Sequence, residues 1–247
     1  MRINTNVASL NSQESATSTQ NNLRNSLEKL SSGLRINKAS DDASGLAIAD
    51  KLRTQASSIG QSISNGNSAV ALTQIADKAM AEQSNILDIV KTKLIQGGTD
   101  TTSQEGREAI GKDVDKLLDQ LNNIAKQTNY NGTTLLQATA ASQASGTALT
   151  FQMGETSSDT ITSSSGVNSN TVGLSLSALK SSAANVSSIT AAGARGFMGA
   201  VDSALNTLNG WRADFGSTQN QLESAVRNQM TQQTNIKAAE SVIRDVD

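Results

Sequence analysis

The chemistry available to this chain is limited first by the residue types that it lacks. Its 247 residues contain no histidine and no cysteine. Without an imidazole or a thiol, a histidine-based catalytic triad, an HExxH zinc site and a thiolate metal site are all excluded. Paired carboxylates could still do acid–base work, and Asp41 and Asp42 are adjacent. Because an amphipathic run follows them, we interpret both as negative charge at the start of a helix.

A second candidate is a glycine-containing stretch that comes close to a phosphate-binding loop. Residues 106–112 read G-R-E-A-I-G-K. The next residue is Asp113, whereas the motif needs a serine or threonine there to hold magnesium. No predicted strand precedes the stretch, and Ile110 belongs to the apolar face of a predicted helix. We therefore expect neither a nucleotide site nor any other cofactor, and we predict that the chain is not an enzyme.

The remaining charged groups of interest are predicted to form ion pairs. Glu240 and Arg244 have the i, i+4 spacing and the orientation that favour a pair on a helix surface. Arg195, Arg212 and Arg227 are predicted to make salt bridges between helices or between copies of the chain, rather than to bind a ligand.

Long helices must position these side chains, and the C-terminal part of the chain shows the clearest repeat. An apolar residue recurs at every seventh position there, interrupted at Gln229. An ideal helix drifts by about 20° per heptad, so a ladder of this length indicates a helix that supercoils against a partner. A companion stripe lies three residues after each ladder position and includes Trp211, which we predict to pack in the core. Our hypothesis is that Gln229 and Gln232 form a polar layer that sets the register of the helices. The ladder consists of Val201, Leu208, Phe215, Leu222, Ile236 and Ile243.

Composition favours a helical packing protein. Proline is absent, and aromatic residues make up only 2% of the chain. The absence of proline removes the main interruption of long helices, and a compact globule normally uses more large rings. The 20 basic and 22 acidic residues provide no excess charge for nucleic acid. We therefore predict no nucleic-acid partner. No apolar run is long enough to cross a membrane, and the start of the chain lacks a signal-peptide core, so we also predict no membrane insertion.

Apolar periodicity predicts three further helices. The first covers residues 4–34, the second covers 44–96 and ends at Gly97-Gly98, and the third covers 105–128 and stops at the turn signal at 129–132. The apolar stripe of the first helix is Leu23, Leu27, Leu30 and Leu34. The stripe of the third is Ile110, Val114, Leu117, Leu121 and Ile124.

The middle of the chain, residues 138–190, has a different composition. Serine and threonine dominate it, and few of its residues are charged. Leu149, Phe151 and Met153 alternate with polar residues, and Thr-Ile-Thr follows at 160–162, which predicts a small hairpin with one covered face. The rest of the segment is predicted to be an exposed, loosely ordered surface.

Several motifs resemble those of one protein family. S-S-G-L-R-I at 31–36 and A-S-D-D-A-S-G-L-A-I-A at 39–49 resemble the amino-terminal hallmark of bacterial flagellins. The chain is similar in particular to flagellins of the Campylobacter and Helicobacter group. Further matches in family order are I-N-T-N at 3–6, N-G at 131–132 with L-L at 135–136, R-A-D at 212–214, Q-N-Q-L-E at 219–223, and A-E-S to R-D at 239–245.

The resemblance to flagellins implies an architecture that periodicity leaves open. It implies a mainly α fold, an elongated antiparallel helical bundle or coiled coil built from both chain ends, with a small β-hairpin region. Residues 1–40 would form the N-terminal inner-tube helix, and 41–137 the N-terminal part of the outer-tube bundle. Residues 138–190 would be a short Ser/Thr-rich variable region with the hairpin, and 191–247 the C-terminal helix of the outer-tube bundle.

The same resemblance implies a function. The chain is expected to be a structural subunit of the extracellular flagellar filament, secreted and polymerised into a hollow helical tube for swimming motility. The expected partners are other copies of the subunit, the flagellar export apparatus and a chaperone, and the filament cap and junction proteins. The leucine stripe and the C-terminal ladder are the expected packing and assembly residues.

Two alternatives stay open. A hook-filament junction protein would share the early motif and the helical ends but would not polymerise in bulk. A secreted host-interacting ligand or adhesin would use the serine-rich middle, and deleting residues 140–188 should then abolish binding while assembly is kept.

The chain departs from the flagellin pattern at its end and in its second helix. Flagellins normally continue with a further inner-tube helix, whereas this chain ends at Asp247. We therefore expect the 247-residue chain to polymerise poorly and to stay soluble and mostly monomeric, with residues 1–35 mobile.

The second departure concerns recognition by the innate immune system. Flagellins detected by the innate-immune flagellin receptor carry two arginines, a glutamate and a leucine in the second long helix. In an alignment without gaps, Ile89 takes the place of the first arginine and Lys93 that of the leucine, with Lys91 between them. An aliphatic side chain lacks the planar donor fork of arginine. The resemblance therefore predicts weak or absent receptor activation, a form of immune evasion.

Overall fold

The fold is mainly α, as the sequence predicts, in a computed structural model that describes residues 6–138, 146, 148–163, 166–185 and 190–246. The helices of this part are α1 (Val7–Ser32), α2 (Ala43–Gly97), α3 (Gln104–Gln127), α4 (Ser177–Ala184) and α5 (Ala191–Arg244). Its strands form two antiparallel hairpins, β1 (Asn129–Tyr130) with β2 (Thr133–Thr134), and β3 (Thr150–Gln152) with β4 (Thr160–Thr162). The chain divides into two compact units. Unit 1 comprises Met1–Gln61 and Asn228–Asp247, and unit 2 comprises Ser62–Arg227.

Helix ends follow local capping chemistry. The side chain of Asn6 accepts a hydrogen bond from the backbone N–H of Ser9 at 3.2 Å, and the hydroxyl of Ser103 accepts one from Gly106 at 3.2 Å. These bonds satisfy donors that a helix start leaves unpaired. α1 ends at Gly33, whose φ of 70° is a left-handed conformation that glycine adopts without strain. Because the helix stops there, Leu34 lies outside α1 although its spacing continues the leucine stripe.

Unit 1 has a small core, and a glutamine ties two of its helices together. The buried apolar side chains here are Ile36, Ala49, Ala56 and Ile59. Gln233 on α5 donates from Nε2 to the backbone oxygen of Ala56 on α2 at 3.0 Å. This contact corrects the predicted polar layer, because Gln232 is exposed and the half-buried Gln229 has an Oε1 without a hydrogen-bond partner. Gln233 therefore makes the inter-helix contact that the heptad spacing had suggested for its neighbours.

Unit 2 contains the main hydrophobic core. α2, α3, α4 and α5 all contribute to it, together with residues 135–136 and 167–176. The apolar stripe predicted for the third helix, α3, needs one correction. Ile110, Val114 and Leu121 are buried as predicted, but Leu117 and Ile124 are only half-buried. Leu118 and Ala125 are buried in their place. The buried face of α3 is therefore turned slightly from the predicted one, toward the side that α4 covers.

The two hairpins differ in how well the sequence predicts them. β3 and β4 confirm the predicted hairpin, with Phe151 opposite Ile161 and Met153 buried in a smaller apolar cluster beside Leu222 and Val226. β1 and β2 form where only a turn was predicted. Asn131 and Gly132 both have positive φ, 50° and 82°, as the central residues of a type I′ hairpin turn require.

Residues 166–185 are not the exposed, loose surface that the sequence predicts. Leu174, Leu176, Leu179 and Ala183 are buried in the main core of unit 2, and Ser177–Ala184 is a helix. Burial of Leu176 and Leu179 alone contributes about 1.5–3 kcal/mol each. This part of the Ser/Thr-rich middle is therefore a layer of unit 2.

Buried polar groups explain how a serine- and asparagine-rich segment can pack in a core. Gln83 is fully buried, and its Nε2 donates to the backbone oxygens of Leu121 and Ser169, both at 3.0 Å. The side-chain oxygen of Asn122 accepts from the backbone N–H and the hydroxyl of Thr171 at 2.9 and 3.1 Å. Buried polar groups cost little when they are hydrogen-bonded. The segment is held by these bonds to α2 and α3.

Two helical glycines should respond to alanine in opposite directions. A Cβ at Gly210 on α5 would meet nothing within 4 Å, whereas a Cβ at Gly66 on α2 would lie 2.5 Å from Cγ2 of Val226. Gly210→Ala should raise the free energy of unfolding by about 0.5–1 kcal/mol, because alanine loses less backbone entropy in a helix. Gly66→Ala should lower it by about 1–3 kcal/mol through overpacking. Thermal unfolding followed by circular dichroism checks both, and equal shifts for the two variants would contradict the packing described for Gly66.

Candidate functional site

The heptad ladder on α5 falls into two parts. Val201, Leu208, Phe215 and Leu222 are each at most 2% exposed in unit 2. Trp211, on the companion position, is half-buried and packs against the main core. Ile236 and Ile243, in unit 1, are only half-buried. The first part is therefore a core seam of the monomer, and the second part keeps apolar surface open to solvent.

The leucine stripe of α1 lies on a helix without a buried residue. Leu23, Leu27 and Leu30 are 58, 54 and 75% exposed. Val7 and Leu10, at the start of the same helix, are 62 and 55% exposed. Leu34, beyond the helix end, is half-buried. Solvent-exposed leucines repeated at helical spacing form an unsatisfied apolar face, which soluble monomers normally keep small.

The short connection after α1 pairs with the end of α5, which the sequence did not predict. Leu34 and Asp245 form an antiparallel β-bridge, with the backbone N–H of Arg35 donating to Arg244 O at 2.7 Å and that of Val246 to Gly33 O at 3.1 Å. The partners lie far apart in the sequence and belong to no periodic pattern. A pairwise signal of this kind has no local signature that sequence reasoning could have used.

Asp42 acts at the start of α2, as the sequence predicts, whereas Asp41 binds the backbone of the connection that precedes the helix. Asp42 accepts from the N–H of Gly45 at 2.8 Å, within hydrogen-bond range for a helix cap. Asp41 accepts from the N–H groups of Lys38 and Asn37, both at 3.1 Å, and these bonds lower the pKa of its carboxyl. A hydrogen bond to Glu28 and its negative charge raise the pKa of Lys38. These groups hold the connection between the two helices in place.

The near match to a phosphate-binding loop lies inside α3. Residues 106–112 belong to the helix Gln104–Gln127, and Ser103 caps its first turn. A nucleotide-binding loop needs free backbone N–H groups in a loop after a strand, and neither is present at this position. Across the part of the chain that the structure describes, no group of three acidic residues is placed to hold a metal ion. In that same part, no helix has the length and apolarity to cross a membrane.

Of the arginines predicted to form ion pairs, Arg212 joins two helices, and Arg195 pairs with the loop that follows α2. Arg212 on α5 lies 2.9 Å from Asp77 on α2, and Arg195 lies 3.6 Å from Asp100. Arg227 lies 3.8 Å from Glu223 on its own helix.

Arg244 does not form the ion pair with Glu240 that the spacing predicts. Its Nη1 lies 3.8 Å from Asp50 on α2, and the sequence had paired it with Glu240. The competing partner wins because Arg244 is turned toward α2, with only 19% of its side chain exposed. Solvated ion pairs of this kind contribute about 0–1 kcal/mol each.

The stretch around Ile89 is an exposed face of α2 bordered by ion pairs. Ile89 is 48% exposed. Lys91 pairs with Asp202 on α5 at 2.5 Å, and Lys93 pairs with Asp113 on α3 at 2.9 Å. Both lysines are therefore directed to neighbouring helices of the same unit, and Ile89 is an exposed apolar residue near them in the sequence of α2.

Lys180 fastens α4 to α3 by charge. Its Nζ hydrogen-bonds to the carboxylates of Asp119 and Asp115, the latter at 3.3 Å. Burial opposes the charged form of Lys180, but these two carboxylates outweigh it and raise the pKa of the amine. The pair adds a directed contact to the apolar packing of α4.

Two family descriptions match most of the chain. Residues 3–141 match the bacterial flagellin N-terminal helical region, and residues 198–247 match the bacterial flagellin C-terminal helical region. Flagellin B of Helicobacter pylori strain J99 is 47% identical over 166 residues, which cover 65% of this chain and 32% of that protein. The chain thus spans about a third of the length of that relative. Flagellin of Bacillus subtilis strain 168 is 33% identical over 267 residues, covering 100% of this chain and 88% of that protein.

Solved structures agree with these matches. The crystal structure of Bacillus cereus flagellin is 27% identical, with a TM-score of 0.56 over 72% of this chain and 94% of that one. A putative flagellar hook-associated protein from Vibrio parahaemolyticus has a TM-score of 0.70 over 83% of this chain and 99% of that one, but is 13% identical and shows a shared fold alone. Both terminal regions and a relative aligned over nearly its whole length point the same way: this chain belongs to the bacterial flagellin family.

Proposed function

We propose that this chain is a structural subunit that polymerises into the extracellular flagellar filament and that it carries no catalytic activity. The exposed apolar face of α1 is the observation that carries the proposal. Leucines that are 54–75% exposed have no partner surface within the described part of unit 1, and a second copy would cover them. Repeated contacts of this kind that do not close into a ring generate a filament.

The test separates assembly from folding. Replacing Leu23, Leu27 and Leu30 by serine should abolish filaments in a flagellin-deleted bacterium that carries the natural gene, with whatever coding sequence follows residue 247. The matched control replaces Thr17, Asn21 and Asn25 by serine on the opposite face of α1. Because the leucines are exposed, each change should alter monomer stability by no more than about 0.5 kcal/mol. Electron microscopy of cells and circular dichroism of the purified chain check the two parts, and normal filaments from the leucine variant would overturn the proposal.

The further partners are proposed by likeness to the family. They are the flagellar export apparatus with a chaperone, and the filament cap and junction proteins. Of the two alternative functions, a junction protein has only the fold likeness at 13% identity in its favour. An adhesin would need a free middle segment, whereas residues 166–185 pack in unit 2.

We also propose that the chain activates the innate-immune flagellin receptor weakly. Ile89 has an exposed aliphatic side chain where activating flagellins carry arginine. Lys93, at the position of the leucine, forms a salt bridge with Asp113. Ile89→Arg should raise the response of reporter cells at nanomolar protein, because arginine supplies the planar donor fork. Ile95→Arg, on an exposed isoleucine of the same helix, is the matched control. A strong response to the unchanged chain would contradict the proposal.

A further inference from the structure

The connection after α1 meets the carboxyl end of α5 through a residue that no periodic pattern singles out. Arg35 donates from Nη2 to the backbone oxygen of Ile243 at 2.7 Å, although the two residues lie 208 positions apart. Its backbone N–H donates to Arg244 O at 2.7 Å, and the N–H of Ile36 reaches the same oxygen at 3.4 Å. Three donors of one short segment thus converge on the last carbonyls of α5.

These carbonyls are among those that a helix leaves unsatisfied at its carboxyl end. Glycine in a left-handed conformation or a nearby cation usually satisfies them. α5 has no such glycine, since Asp245 and Val246 follow its last residue. The guanidinium of Arg35 brings both a donor and a positive charge, which suits the negative end of the helix dipole. The cap of α5 is therefore supplied by the segment that follows α1.

The same segment is anchored on its other side. Asn37 donates to the hydroxyl of Ser32 at 2.7 Å, and Lys38 pairs with Glu28 of α1 at 2.6 Å. Ile36 is 2% exposed within unit 1. Residues 33–38 are thus fixed to the end of α1 and to the end of α5 at once.

We propose that Arg35 is a positioning residue that holds the carboxyl ends of α1 and α5 in one register. This inference rests on the proposed function, because the register matters if helices at these two ends make contacts between subunits. The side chain of Arg35 is exposed and fills no core space, so its replacement leaves the fold and the backbone bonds in place and removes only the charged donor that holds the register.

A disulfide test reads the register directly. The chain has no cysteine, so Leu34→Cys with Asp245→Cys introduces a single possible intramolecular bridge. These residues form the non-hydrogen-bonded type of antiparallel pair, whose Cα atoms lie about 4.5 Å apart, within disulfide range. Crosslinking under mild oxidation should be fast in this parent and about tenfold slower with Arg35→Met, as expected for the loss of a hydrogen bond from a charged donor. Arg35→Lys should restore most of the rate, because one N–H donor suffices.

The matched control is Arg53→Met. Arg53 is an exposed arginine of α2 whose partner, Asp50, lies on its own helix. It should crosslink at the parent rate. Equal rates for Arg35→Met and the parent, or equal slowing by Arg53→Met, would overturn the inference, and unchanged circular dichroism shows that the fold is kept.

Filaments supply the second readout. In a flagellin-deleted bacterium, the natural gene, with whatever coding sequence follows residue 247, should give shortened filaments or filaments of altered helical waveform when it carries Arg35→Met, and normal ones when it carries Arg35→Lys. Absence of filaments from the unchanged gene would overturn the proposed function. Normal filaments from Arg35→Met, with slowed crosslinking in the monomer, would overturn the positioning role alone.

Discussion

Leu208→Ala should lower the free energy of unfolding of unit 2 by about 2–5 kcal/mol. Leu208 is fully buried on α5 at the centre of the heptad ladder, between Val201 and Phe215. Truncation removes the transfer free energy of the deleted atoms and leaves a cavity that close-packed neighbours fill only in part. The equivalent change at Leu23 on α1, which is 58% exposed, should cost no more than about 0.5 kcal/mol.

The chain provides its own probe for this measurement. It has a single tryptophan, Trp211, which packs against the main core of unit 2. Its fluorescence during urea denaturation therefore reports unit 2, whereas far-ultraviolet circular dichroism reports all helices. A fall in the fluorescence midpoint for Leu208→Ala with no fall for Leu23→Ala is the expected result. The opposite order, or equal losses, would show that the ladder is not the core seam of the monomer.

Leu176→Ala should be nearly as damaging, although it lies in the segment that composition marks as exposed. Leu176 is fully buried in the main core, at the N-cap position directly before α4. Its truncation should lower the free energy of unfolding of unit 2 by about 2–5 kcal/mol, by the same cavity argument. Val172→Ala, at a site 48% exposed in the same segment, is the control and should cost less than about 1 kcal/mol.

Tryptophan fluorescence in urea again measures both variants. A loss of less than about 0.5 kcal/mol for Leu176→Ala would mean that residues 166–185 do not belong to the core. The same packing changes how the adhesin alternative has to be tested. Deleting residues 140–188 would remove Leu176 and Leu179 and should unfold unit 2, so it cannot separate binding from assembly. Substitutions at exposed positions such as Val172 leave the core intact and separate them.

The predicted and observed surfaces of α3 show how far periodicity reaches. It identifies the helix, its ends and three of its buried residues, because apolar spacing reflects which face must leave water. It predicts burial of Leu117 and Ile124, whereas their neighbours Leu118 and Ala125 are the buried residues. Adjacent positions on a wide apolar stripe differ little in spacing, so periodicity does not separate them. The choice between them depends on where α4 and its neighbours lie, and α4 comes from the segment that was predicted to be exposed.

The sequence by itself determines the four long helices α1, α2, α3 and α5, the C-terminal ladder, the β3–β4 hairpin and the turn at Asn131-Gly132. All of these are local: they follow from apolar period, from the absence of proline and from residues that tolerate positive φ. Tertiary structure alone decides that Gln83 and Asn122 bury a Ser/Thr-rich segment, that Gln233 contacts α2, and that Arg35 caps α5. The physical reason is that each of these side chains finds its hydrogen-bond partner on another element, far away in sequence, and burial of a polar group costs little only when it is paired in this way.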